Sequence, residues 1–182
     1  GNLQSDLSFK IPDINLDHIK RLTTDFGMIQ FSKLNNPDLD SGYTLDDNAR
    51  ALIAMCQHYQ LTKNADDLVY IQTYLDFIKF CQQPDGNFLN YVDKQRLFTK
   101  QNDEVNLADA YGRTIWALGF AISLKSVLPS EIITEADLII QKALVNAAAV
   151  HSTRAMAFTI KGLFYYNTNS RKPGKIALIR EL

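Results

Sequence analysis

Gly42-Tyr43-Thr44-Leu45-Asp46-Asp47-Asn48-Ala49-Arg50-Ala51-Leu52 opens a helix and shows how that helix begins. Thr44 followed three residues later by Asp47 resembles a capping box, with aspartate in place of glutamate. Ala49, Leu52, Ile53 and Cys56 then recur at helical spacing and form an apolar stripe. The middle of this stretch is a small residue, an arginine, a second small residue and an apolar run. It appears twice more, as Gly112-Arg113-Thr114-Ile115-Trp116-Ala117 and as Thr153-Arg154-Ala155-Met156-Ala157-Phe158. Each copy lies near the start of a predicted helix, where the helix dipole favours carboxylates over cations. A paired carboxylate, a neighbouring helix end, or an anionic or polyol ligand must therefore offset the dipole.

Outward from these copies the chain reads at a helical period, with few strand signals. The spacing predicts helices over about 15–23, from Thr44, over 65–82, from about Asn106 to Ser126, from Ser130, and from Ser152 to about Asn167. Pro84-Asp85-Gly86 marks a turn, and a short hairpin is expected around Phe88 to Phe98. Ile176 to Leu182 resembles the opening of a further helix. Every second helix carries the arginine motif, and the copies are unequally spaced. This pattern predicts an all-α fold of antiparallel helical hairpins with variable loops. In a ring of alternating helices, the arginine-bearing N-termini gather at one mouth.

The 182 residues suffice for a single domain spanning 1–182 with a sizeable core, and the 46% hydrophobic content is ordinary. A net charge of −1 argues against nucleic acid or an anionic membrane as partner. The densest basic cluster, Lys161, Arg171, Lys172 and Lys175, reads as a solvated surface. Cys56 and Cys81 fall in apolar helical patterns, which predicts buried free thiols. No apolar run is long enough to span a bilayer and no signal-peptide pattern opens the chain, so a cytoplasmic location is expected. No spacing of metal ligands, phosphate loop or nucleophile elbow is present, and no cofactor is expected.

The chemistry-bearing residues cluster around the arginines. Asp46 and Asp47 precede Arg50 by four and three residues, and Asp109 precedes Arg113 by four, the spacings at which side chains on a helix meet. Intrahelical ion pairing is one reading. In the other, one of Asp46 and Asp47 caps or pairs with Arg50 while its neighbour, about 100° round the helix, faces the mouth opposite Asp109. Two facing carboxylates are the equipment of glycoside hydrolysis. Tyr43, Phe88, Tyr91 and Tyr111 lie near the same end, where rings could meet sugar faces or pack loops. Trp116 reads as core. His151 is a candidate acid–base group or a plain turn residue.

These residues resemble a known family. The opening stretch is similar to the Gly-Tyr-x-x-Asp-Asp-Asn-Ala-Arg-Ala-Leu signature of a bacterial α/α-toroid domain of the six-hairpin glycosidase-like proteins. That domain is found alone or fused after a glycosyltransferase. Asp25-Phe26-Gly27-Met28-Ile29-Gln30, Pro37, Asp85-Gly86-Asn87-Phe88 with Asn90, and Asp109-Ala110-Tyr111-Gly112-Arg113 with Trp116-Ala117-Leu118-Gly119 extend the likeness. Arg154-Ala155 and Gly162-Leu163 fit less specifically. Two departures stand out. The family pattern has Ser-Glu-Asp where this chain has Leu107-Ala108-Asp109. About three of the six hairpins of a full toroid fit, which implies a C-terminally truncated fragment, a ring completed by a second copy, or a half-ring closed differently.

The resemblance implies a domain that handles an oligo- or polysaccharide. Asp46, Asp47 and Asp109 are its catalytic candidates, and Tyr43, Arg50, Asn90, Tyr111, Arg113 and Arg154 its substrate-binding candidates. A non-catalytic glycan-binding or regulatory partner of a glycosyltransferase is the first alternative, favoured by the missing glutamate. A helical scaffold for protein binding is the second.

Overall fold

The structure, a computed structural model, describes residues 12–168, so the helix expected at Ile176 to Leu182 and the basic residues from Arg171 to Lys175 lie outside it. The described residues are mostly helical. The helices are α1 (Asp17–Leu22), α2 (Leu45–Thr62), α3 (Asp67–Cys81), α4 (Gln101–Glu104), α5 (Ala108–Ser123), α6 (Ser130–Ala143) and α7 (Thr153–Asn167). No described helix is long and apolar enough to cross a membrane.

The helices form two rows. α2 packs on α5 and α5 on α7; behind them, α3 packs on α2 and α6 on α5, and α3 and α6 also touch each other. Tight connections make α2–α3 and α5–α6 antiparallel hairpins. Within the front row the helices run parallel. Gly112 lies against Ala155, and Gly119 against Gly162 one helical stretch further on. A Cβ on Gly119 or Gly162 would collide with backbone carbonyl oxygen of the opposite helix. Only glycine permits this backbone-to-backbone approach, which explains why α5 and α7 each carry one at the crossing.

The capping expectation at α2 is met in half: Thr44 caps the helix, while Asp47 binds the Thr44 hydroxyl rather than its backbone N–H. Thr44 Oγ1 accepts the Asp47 N–H at 3.3 Å and donates to Asp47 Oδ2 at 2.6 Å. Buried Leu45, Ala49, Leu52, Met55 and Cys56 then face the core. Cys56 and Cys81 are buried and free, and burial pushes the Cys56 thiol up to about 12.

Two buried asparagines tie the long loops to the helix ends. Asn48 accepts from the Met28 N–H at 2.8 Å and donates to the Thr44 carbonyl at 2.8 Å. Asn102 accepts from the Asn90 and Tyr91 N–H groups at 2.7 and 2.9 Å. The expected hairpin at Phe88 to Phe98 is smaller than the sequence suggests. Val92 and Phe98 form one bridge around a turn closed by the Asp93 N–H on the Leu97 carbonyl. The strand signal of Tyr91–Val92 is instead spent on antiparallel pairing with Tyr43–Thr44, just before α2. That pairing carries the loop after α3 to the mouth of the front row.

Candidate functional site

The N-termini of α2, α5 and α7 meet at one end of the front row, as the repeated motif predicts. Arg50 and Arg113 lie a full turn inside their helices, whereas Arg154 alone occupies a first turn. The first turns of α2 and α5 hold aspartates, the sign that the dipole favours.

Asp46 sits between two guanidinium groups. Arg50 Nη2 donates to its Oδ2 at 3.1 Å from the same helix. Arg113, across the α2–α5 boundary, donates from Nη1 to Oδ2 at 3.2 Å and brings Nε to 3.1 Å from Oδ1. The second contact is an ion pair without hydrogen-bond alignment. Arg154 repeats the relation one helix on, pairing with Asp109 of α5. The sequence reading, in which Asp109 pairs with Arg113 of its own helix, is corrected here. Each of these two arginines takes the acid of the preceding front-row helix, reaching across the boundary between parallel neighbours.

Asp46, Asp109, Arg113 and Arg154 line a cleft of about 250 Å³, together with Asn90, Tyr91, Asn106, Leu107 and Ala110. Asn90, 6% exposed, serves two purposes: it lines the cleft, and its Oδ1 accepts the Asp46 N–H at 3.0 Å, capping α2 from outside the helix. Burial raises the Asp46 carboxyl above its ordinary value; the charges of Arg113 and Arg50 oppose this, and those of Asp47 and Asp109 add to it. The hydrogen bond and charge of Asp109 hold the Arg154 guanidinium more firmly protonated.

Four candidates fall outside the cleft. Asp47 is taken up by the Thr44 hydroxyl and Arg50 at the helix start, so of the adjacent aspartates Asp46 is the cleft residue. Arg50 stands behind Asp46 and lines no part of the cleft. Tyr43 is buried in an aromatic cluster, 5.1 Å from the Phe26 ring centroid. Tyr111 donates its hydroxyl to the Ala143 carbonyl at 2.8 Å, which fixes its ring in the wall of a neighbouring chamber. That chamber, about 410 Å³, also includes His151.

Trp116 is half-buried, and its ring meets two side chains of α7. Phe158 of α7 stacks on it with centroids 5.8 Å apart, and Lys161 Nζ lies 3.7 Å from its centroid. Arg113 covers Phe158 in turn at 4.8 Å. These ring and cation contacts join α5 to α7, and Phe158 flanks the guanidinium that reaches Asp46.

At the opposite end of α2, His58 Nδ1 lies 2.5 Å from Oδ2 of Asp67, whose side chain is fully buried. Sequence reasoning misses this pair, because the two residues lie on different helices of a hairpin and are joined only by its turn. Among the described residues, no group of three or more His, Cys, Asp or Glu side chains is placed to hold a metal ion. No protein-family model matches the chain, and no curated protein matches it significantly.

Proposed function

We propose that the chain is a carbohydrate-handling domain, half of an α/α toroid, with its binding site in the cleft at the front-row N-termini. The observation that carries this reading is the convergence of Asp46, Asp109, Arg113, Arg154 and Asn90 on one small cleft from three helices and a loop. The charges lining it balance: Asp46 and Asp109 against Arg113 and Arg154. A balanced set of fixed donors and acceptors suits a neutral ligand rich in hydroxyls better than an anion, which would require excess cation. The expected ligand is an oligosaccharide or polysaccharide, presented alone or by a glycosyltransferase partner.

A hydrolytic reading is favoured by one observation, the raised carboxyl of Asp46. A carboxyl raised by burial in one cleft with a second carboxyl, Asp109, is the kind of pair glycoside hydrolysis uses. Against it stand the two guanidinium groups on Asp46 and the apolar pair Leu107-Ala108 where the family pattern has Ser-Glu. The two readings separate on turnover. Asp46→Asn and Asp109→Asn are expected to lower binding of a retained oligosaccharide. If wild type also releases new reducing ends and both variants stop doing so, the domain is a hydrolase. If wild type binds without releasing any, it is a binder. Unchanged binding in both variants would remove the cleft from consideration.

A further inference from the structure

Beside the charged cleft lies the larger chamber of about 410 Å³, and Asn106 and Leu107 form part of the wall of both. The two spaces differ in chemistry. No Asp, Glu, Lys or Arg lines the chamber, and Phe88, Leu107, Tyr111, Ala149 and Val150 supply much of its surface. Its polar side chains are largely committed to the fold. Tyr111 gives its hydroxyl to the Ala143 carbonyl. Asn106 Oδ1 accepts the Ala108 N–H at 2.8 Å, and Asn146 Nδ2 donates to the Asp85 carbonyl at 2.9 Å. Asn87 Nδ2 donates to Asp85 Oδ2 at 2.8 Å. What faces the space is therefore mainly carbon, with His151 and Ser152 at one side.

From this juxtaposition we infer that the ligand is amphiphilic: a sugar held in the cleft carries an apolar aryl or acyl substituent that enters the chamber past Asn106 and Leu107. The inference rests on the carbohydrate reading of the cleft and adds the nature of the group attached to the sugar. A plain sugar would leave the chamber's carbon surface wet, whereas an aromatic or acyl group would cover it and gain the burial of that surface.

Matched methyl and phenyl glycosides of glucose, galactose, mannose and N-acetylglucosamine test it, since each pair differs only in the apolar substituent. Binding is read from backbone amide shifts of the isotope-labelled chain. For the sugar that binds, the phenyl glycoside is expected to bind about tenfold more tightly than the methyl glycoside, with shifts at Leu107 and Val150. In Ala149→Phe, and in the milder Ala149→Leu, the ratio is expected to fall towards one as the added side chain fills the chamber. Equal affinity of the two glycosides would overturn the inference and leave the cleft reading intact. So would a phenyl advantage that survives both substitutions. Failure of every glycoside to shift the cleft amides would overturn the cleft reading itself, and the inference with it.

Discussion

Arg113 of α5 holds Asp46 of α2 across the boundary between two parallel helices, through Nη1 at 3.2 Å and Nε at 3.1 Å. Both side chains are about a fifth to a quarter exposed, at 19% and 25%. The contact therefore joins the front row as well as shaping the cleft. Arg154 on Asp109 extends the same relation to α7 at a more exposed position.

Removing Arg113 leaves Asp46 half-buried with Arg50 alone. Arg113→Ala is expected to lower unfolding free energy by about 2 kcal/mol, less than a fully buried pair would lose. Arg113→Lys is expected to recover less than half, because an ammonium cannot reproduce the two-point contact or lie flat on Phe158. Urea denaturation of the three proteins checks both statements. Full recovery by lysine would show that charge alone matters at this position.

His58 and Asp67 form the most deeply buried ion contact among the described residues. His58→Ala strands a carboxylate with no exposure and is expected to cost about 3 kcal/mol. Asp67→Asn removes the charge and is expected to cost less. The order of the two losses in thermal unfolding is the result to observe. A larger loss for Asp67→Asn would mean that the aspartate matters for something other than its contact with His58.

Gly162 packs against the Ile115 carbonyl and the Trp116 N–H region of α5, and Gly119 against Gly162 itself. Gly162→Ala is expected to destabilise by about 3 kcal/mol, even though alanine is the better helix former, because both helices must separate. The separation would also loosen the Phe158–Trp116 stack, so Trp116 fluorescence of the folded variant is expected to shift. A variant as stable as wild type would contradict the close packing of α5 and α7.

Burial raises the Asp46 carboxyl above its ordinary value of 3.8, against the charges of Arg113 and Arg50. A raised folded-state value means that Asp46 contributes stability below the unfolded value, and that this contribution is lost as pH rises through the folded value. Asparagine does not titrate. The stability advantage of wild type over Asp46→Asn is therefore expected to shrink between about pH 4 and about pH 7. Urea unfolding at both pH values measures it. An advantage that grows with pH would show that the arginines outweigh burial.

The helices and the common end of their arginines were legible because both follow from local information. Thr44 and Asp47 mark the start of α2, Pro129 precedes α6, and three- and four-residue spacing of apolar side chains defines each buried face. The partners at the site were less legible. Helix spacing pairs Asp109 with Arg113, yet packing gives Asp109 to Arg154, and only the docking of one helix against the next decides this. The Tyr91–Val92 strand finds Tyr43–Thr44 across the whole α2–α3 hairpin, a pairing no local pattern specifies. Asn90 caps a helix to which it does not belong. The tyrosines at 43 and 111 lie near the mouth in sequence order, but their rings point into packing, which residue type alone does not reveal.

The central claim is that the cleft of Asp46, Asp109, Arg113, Arg154 and Asn90 binds carbohydrate. A glycan array probed with the labelled wild-type chain and with an Asp109→Ala/Arg154→Ala double variant tests it most directly. The two substituted side chains pair with each other, so the double change leaves neither unpartnered. The account predicts that wild type is retained on a structurally related set of neutral glycans and that the double variant, still folded, is not. Retention of neither protein on any glycan, or equal retention of both, would contradict it.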